Sequence, residues 1–307
     1  MISRRNIRVK VMQTLYTLET GGQTGSSDEM VKTLQKHFSQ SRQLFVYIIY
    51  FITELALYAE IHSRNRLGKH LPTEEDKNIN TKLAANEFIE KILQDPSYQK
   101  AIRAEKPHLL GNGEFVKKIY LEFIETPEYK KYIFLKEREK KSEKEIVEFI
   151  FNNMLIGNES FQSTAADIFT NWDDDAEMMV QVIPGYLSKP HSYDLTELLS
   201  TEKWEFAKNL LVTTLEKKDL TMDIIKPKLK NWEADRIALL DMILMRMGVC
   251  EFLFFETIPP KVTINEYIDL AKEYSTPQSG HFVNGILDNI HKDLLQENKL
   301  HKVSHKI

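Results

Sequence analysis

Residues 259–290 read PPKVTINEYIDLAKEYSTPQSGHFVNGILDNI, and their punctuation describes two consecutive helices. Pro259-Pro260 stops whatever precedes them. Thr263-Ile264-Asn265-Glu266 has capping-box spacing, in which a hydroxyl and a carboxylate each satisfy a free backbone N–H at a helix start. Val262 and Tyr267 are placed to staple that start, and Ile264, Ile268 and Ala271 then fall on one inward face as far as Ser275. Thr276-Pro277 is a second start signal, because proline fits the first helical position, where no N–H is needed. Phe282, Ile286 and Ile290 recur at intervals of four and carry the last helix to about residue 295. Inside it, Gly285 costs on the order of 1 kcal/mol against alanine. The close approach of a neighbour or of a ligand would repay that cost, and Asn284 beside it offers both a donor and an acceptor.

Working outward, Asn231 can cap a long apolar helix over residues 232–255. Ile237, Leu240, Leu244 and Met247 form one stripe there, widened by Leu239, Ile243 and Phe252. A helix apolar around most of its circumference belongs in the middle of a bundle. Residues 195–215 read as a helix with Leu198, Phe206, Leu210 and Leu211 inward, and residues 222–229 as a short one interrupted by Pro227. At the other end, Ile7, Val11, Leu15 and Leu18 lie on one stripe after Ser3, a cap candidate, and the stripe ends at Gly21-Gly22. Between these, residues 28–189 hold helical segments at 29–66, 79–93, 114–125, 143–155 and 176–182, punctuated by proline and glycine. Asp173-Asp174-Asp175 suits a helix N-terminus or a loop. Residues 296–307 are expected to be a disordered polar tail.

Composition agrees with an all-α protein. The 307 residues include 11 Gly and 10 Pro, too few for a turn-rich β-fold. A single cysteine, Cys250, excludes disulfide scaffolds and cysteine-rich zinc modules. Residues 44–61 contain Glu54 and Glu60 and fall short of the roughly 20 uninterrupted apolar residues of a spanning helix, so a buried core helix and no membrane contact are expected. The net charge is −4, so any contact with phosphates must come from a local patch. One exists: Arg4, Arg5, Arg8 and Lys10 precede the first acid, Glu19, and Arg5, Met12 and Tyr16 share a helix side. Guanidinium groups pair with phosphates, and an aromatic ring stacks an unpaired base. An ordinary amphipathic helix with a charged edge has the same pattern.

Beyond these readings, SRRNIRVKVMQTLY at the N-terminus and residues 259–288 resemble the opening and closing helices of the transcription antitermination protein NusB family. EFAKNLLVTTL and DRIALLDMILMRMGVCEFL resemble its middle helices less specifically. The resemblance implies an all-α, NusB-like double helical bundle made of residues 1–20 and 195–295, with residues 21–194 as an inserted helical region. It also implies binding of boxA-like single-stranded RNA of ribosomal RNA operons together with the NusE ribosomal protein, within an RNA polymerase antitermination complex in the cytoplasm. Carried over residue by residue, it points to Arg4, Arg5, Arg8, Lys10, Gln13, Tyr16, Lys261, Phe282, Asn284 and Gly285 as the RNA-binding set, with the arginines lying beside the last helix. Two departures stand out. About 180 residues intervene where the family has a few tens, too many for a loop, and Pro277-Gln278 occupy a place where the family often has an acid.

An enzyme is not expected. A related helical domain is fused to ribosomal RNA cytosine methyltransferases, but Gly21-Gly22-Gln23-Thr24-Gly25 follows a helix rather than a strand, and Cys250 lies in an apolar helix, where a structural thiol is usual. No metal-ligand spacing and no cofactor motif is present. The alternative is a helical interaction scaffold in which the insertion has replaced or modified RNA binding.

Overall fold

Every regular element of the computed structural model is helical among the residues it describes, which are 2–21, 26–71, 73–77, 79–111, 113–135, 137–229 and 237–303. In chain order the helices are α1 (Arg4–Thr20), α2 (Ser27–Leu67), α3 (Glu74–Lys77), α4 (Glu87–Gln94), α5 (Pro96–Glu105), α6 (Gly113–Ile124), α7 (Pro127–Phe134), α8 (Lys140–Phe149), α9 (Glu159–Ile168), α10 (Trp172–Ser188), α11 (Thr201–Glu216), α12 (Lys218–Ile225), α13 (Leu239–Phe254), α14 (Pro260–Tyr274) and α15 (Ser279–Gln296). They form two compact units: Met1–Ile2 with Ser39–Leu198, and Ser3–Phe38 with Leu199–Ile307.

The unit of Ser39–Leu198 is built on the apolar part of α2. Leu44, Ile48, Ile49, Ile52 and Leu55 have no exposed surface. Tyr47 packs on Phe169 at 5.1 Å, and Phe51 on Phe161 at the same centroid distance. Helix α2 is long and apolar enough to cross a membrane, yet its most apolar window is 67% buried within the protein, as a core helix requires. The helix expected over 79–93 starts late: residues 82–85 turn, and Asn86 then caps α4 by accepting from the N–H groups of Phe88 and Ile89. Helix α8 widens into a π-helical segment, Ile150–Ile156, which buries Phe151 and Leu155. Asp173, Asp174 and Asp175 occupy the first turn of α10, where the helix dipole favours acids.

The second unit is organised around α13, which packs against α14, α15, α11, α1 and α12. Three charged residues break its apolar surface, each five residues after the one before and so turned about 140° from it. Together they pin three helices, α15, α1 and α11. Asp241 accepts from Ser279 at the start of α15 at 2.7 Å. Arg246 donates to Glu19 of α1 and to the Thr214 carbonyl of α11. Glu251 receives Arg8 of α1. Buried charge is tolerated only when paired in this way.

Several local expectations are corrected. Helix α14 begins at Pro260, with Pro259 at its N-cap position, so Thr263-Glu266 is not a capping box. Thr263 is buried and donates to Glu251, Glu266 pairs with Arg8, and Val262 is exposed rather than stapled on the buried Tyr267. Helix α15 starts at Ser279, two residues beyond Pro277, whose turn is held by Thr276 and Ser279. Helix α13 starts at Leu239, so Ile237 and Ala238 precede it; the Asn231 cap lies outside the described residues. The C-terminal segment is not a loose tail as far as Val303. Lys302 Nζ donates to the carbonyls of Glu251 and Phe255, both at 2.7 Å, and Val303 N–H donates to Glu256. A cation on terminal helix carbonyls complements the negative end of the α13 dipole.

Gly248 and Gly280 are closely packed glycines of this unit, whereas Gly285 is not. A Cβ at Gly248 would stand 3.0 Å from Leu287 Cδ2 and 3.4 Å from Tyr267 Cδ2. Gly248→Val should therefore destabilise the unit by about 1–3 kcal/mol through overpacking, seen as a lower urea midpoint by circular dichroism. An unchanged midpoint would mean that α13, α14 and α15 are not this closely packed.

Candidate nucleic-acid interface

Helix α1 presents its cations in a graded series. Ser3 caps it by accepting from Asn6 N–H, which fixes Arg4, Arg5 and Arg8 in the first turns. Arg8 is 2% exposed. Its Nε and Nη2 donate to the two carboxylate oxygens of Glu251 at 2.7 and 3.0 Å, and its Nη1 donates to Glu266 at 3.3 Å. Glu251 also accepts from Thr263 Oγ1 at 3.0 Å and Tyr267 OH at 2.8 Å. Burial by itself would favour the neutral guanidine. The bond to Glu251 and its charge, with the electrostatic contributions of Tyr267 and Glu266, together outweigh it, and the Arg8 pKa ends above its ordinary value. The Tyr267 phenol is driven well above its usual range, by burial first and by the Glu251 charge second.

Outward from this pair the partners become exchangeable. Arg5, with 28% of its side chain exposed, donates to Glu273 at 2.6 Å and stands 4.0 Å from Asp269. Arg4, 43% exposed, donates to Glu202 at 3.0 Å. The Arg4 and Arg8 guanidinium groups lie over the ring of Phe206 at 5.4 and 5.7 Å, and Phe206 meets Phe255 edge to face.

These positions divide the expected site by depth. Arg8 and Lys10 are buried, 2% and 3% exposed, so neither presents a charge to a phosphate in this structure. Arg8 holds the fold because no water remains to solvate it. Met12 is buried as well, which leaves Arg5 and Tyr16 as the accessible members of their helix side. Gln13 is half-buried, and Tyr16, Lys261, Asn284 and Gly285 are exposed, while Phe282 is half-buried. The arginines expected beside the last helix pair instead with α14, α13 and α11. The principal neighbours of α1 are α11 and α13, and its arginines meet α14, whereas α15 packs on α14, α13 and α12. Gly280 lies against the Lys272 side chain; in an antiparallel pair that register brings Asn284 and Gly285 level with Ile268 and Tyr267.

Sequence reasoning missed Glu251, Glu202, Asp269 and Glu273, and it read Phe206 only as an inward residue of its helix. A signal existed for one of them, since a carboxylate inside an apolar helix needs a buried partner. The other acids sit on ordinary amphipathic faces. Among the described residues, no group of three or more His, Cys, Asp or Glu could hold a metal ion. Cys250 is buried, and burial pushes its thiol up to about 11, so it is no nucleophile near neutral pH.

Residues 160–292 match the sequence profile of the NusB family. The chain is 46% identical over 98 residues to transcription antitermination protein NusB of Salinibacter ruber, covering 32% of this chain and 61% of that protein. It is 41% identical over 101 residues to the protein of that name from Methylacidiphilum infernorum, covering 33% of this chain and 70% of that one. With the Finegoldia magna protein it shares 44% identity over 88 residues, which are 64% of that protein. The chain thus spans less than two thirds of the S. ruber and F. magna relatives. A solved structure of T. maritima NusB aligns with 27% identity and a TM-score of 0.30, over 48% of this chain and 84% of that one.

Truncating one partner of the Arg8–Glu251 pair should cost about 3–5 kcal/mol, because the other charge is left buried and alone. Arg8→Ala and Glu251→Ala should each lower the urea midpoint strongly, while Arg8→Met with Glu251→Met should recover most of the loss. A stable Arg8→Ala single variant would contradict the buried pairing.

Proposed function

We propose that this chain, which belongs to the NusB family, is a non-enzymatic RNA-binding factor of transcription antitermination. In this reading it acts in the cytoplasm on boxA-like single-stranded RNA of ribosomal RNA operons, jointly with the NusE ribosomal protein and within an RNA polymerase antitermination complex. The contact set is Arg4, Arg5, Gln13 and Tyr16 of α1, Lys261 at the start of α14, and Phe282, Asn284 and Gly285 of α15. Arg8 and Lys10 belong beneath that surface.

The observation that carries the reading is Gly285. A side chain there would meet no described atom within 4 Å, so packing does not account for a glycine in mid-helix. It weakens α15 by on the order of 1 kcal/mol against alanine. The close approach of a ligand backbone accounts for it, and Asn284, exposed beside it, supplies the donor and acceptor that a base edge or a ribose needs. Arg5 and Tyr16 lie within about 20° of each other on α1 and some 16 Å apart along it. One guanidinium and one ring at that spacing suit a phosphate and an unstacked base of one strand.

The scaffold reading has one observation in its favour: Ser39–Leu198 is a compact unit with its own aromatic core. Under it, that unit docks a protein partner while the other binds RNA weakly or not at all.

Gly285→Ala separates structure from function. It should raise the thermal midpoint, since alanine favours the helix and finds open space, while lowering affinity for a boxA-like RNA about fivefold or more in an anisotropy titration. A more stable protein with unchanged affinity would reject the RNA role of this surface.

A further inference from the structure

The arginines of α1 meet carboxylates wherever they emerge from the core, and those carboxylates form an ordered edge. Glu266, Asp269 and Glu273 stand at i, i+3 and i+7 on α14, one helical stripe. Arg8 takes the first, and Arg5 lies between the other two. Glu202 of α11 takes Arg4. At the Arg8 end the pair is dry and bidentate. At the Arg5 and Arg4 end water reaches both members of each pair: Arg5 and Glu273 are 28% and 27% exposed at the side chain, Asp269 54%, Arg4 43% and Glu202 80%. Lys272 also reaches Asp269, at 3.7 Å, so this acid keeps a counter-charge when Arg5 leaves.

We propose that Asp269 and Glu273, with Glu202, act as intramolecular substitutes for phosphate. They hold Arg5 and Arg4 in place, and a bound polyanion must displace a carboxylate for each guanidinium it takes. The proposal rests on the RNA-binding reading of this surface and adds its regulation: affinity is set low by competition within the chain. Three consequences follow from the geometry. The carboxylates cost affinity but favour the strand that offers enough other contacts to repay the exchange. They keep the exposed arginines from nonspecific anions. A second ligand that draws Glu273 or Glu202 away would release the arginines and so strengthen RNA binding, a coupling that must run equally in both directions.

The magnitude follows from the exposure of these pairs. Exposed ion pairs contribute roughly 0.2–1 kcal/mol each, about 1.4-fold to fivefold in affinity per pair released. Two such contacts multiply to about twofold to twenty-fivefold, and because the contact to Asp269 is long, at 4.0 Å, a gain of about threefold to tenfold is expected.

The test uses the full chain and two probes, a labelled single-stranded boxA-like RNA and inorganic polyphosphate, each titrated at fixed salt. The variants are Asp269→Asn with Glu273→Gln, the same pair in an Arg5→Ala background, and a charge control, Asp223→Asn with Glu297→Gln, on exposed acids outside the proposed contact set. Helicity and thermal midpoint check that each variant is folded. The expected result is a threefold to tenfold gain for the α14 pair, a clearly smaller gain for the control, and no gain when Arg5 is alanine. A gain that persists without Arg5, equals that of the control, or fails to appear with either probe overturns the proposal. A gain seen with polyphosphate and lost with Arg5, in a protein that does not bind the RNA, sustains the carboxylate competition and rejects the RNA reading instead.

Discussion

The bidentate pair of Arg8 and Glu251 is the constraint around which the second unit is arranged. Neither charge is solvated, so each requires the other, and their geometry fixes where α1 lies on α13. Thr263 and Tyr267 complete the coordination of Glu251 and bring the first turns of α14 onto the same point. Lys302 closes the adjacent end of α13 by taking two of its last carbonyls. One carboxylate and its neighbouring carbonyls thus gather α1, α13, α14 and the C-terminal segment. Asp241 and Arg246 do comparable work on other sides of the same helix. An apolar helix with three charges, each turned about 140° from the one before it, can be buried in only a few ways.

This constraint gives the basic N-terminus two physical characters. Arg8 is consumed by the core and is as much a part of the fold as any leucine. Arg4 and Arg5 stand on the rim, held by acids that water also reaches, where an ion pair is weak enough to be exchanged. A cluster that looks uniform as a string of letters is therefore divided by depth. Phe206 spans the division, with one guanidinium from the core and one from the rim over its ring.

The helical class and the central place of α13 were legible because apolar periodicity and the scarcity of turn residues report directly on burial. The ends of α13, α14 and α15 were less so. Thr263 and Glu266 have the spacing of a capping box, but Pro259-Pro260 starts the helix first, and tertiary partners claim both side chains. Gly285 was legible as an anomaly, though its space could not be known. Gly248, in an unbroken apolar run, gave no sign that Leu287 and Tyr267 close over it. The burial of Arg8 was hidden for a plainer reason. An amphipathic helix shows which residues are charged, but the partner 243 positions away is visible only once the chain has folded. The contacts of Lys302 and Val303 with the end of α13 could not be read from the polar composition of the C-terminal segment, whose residues 304–307 lie outside the described residues.

Arginine-specific labelling with phenylglyoxal, read by peptide mass spectrometry with and without boxA-like RNA, tests the division of the cluster directly. Arg8 should stay unmodified in both conditions, while Arg4 and Arg5 react in the free protein and are protected by RNA. Reaction of Arg8 in the folded chain together with its protection by RNA, or indifference of Arg4 and Arg5 to RNA, would contradict the account.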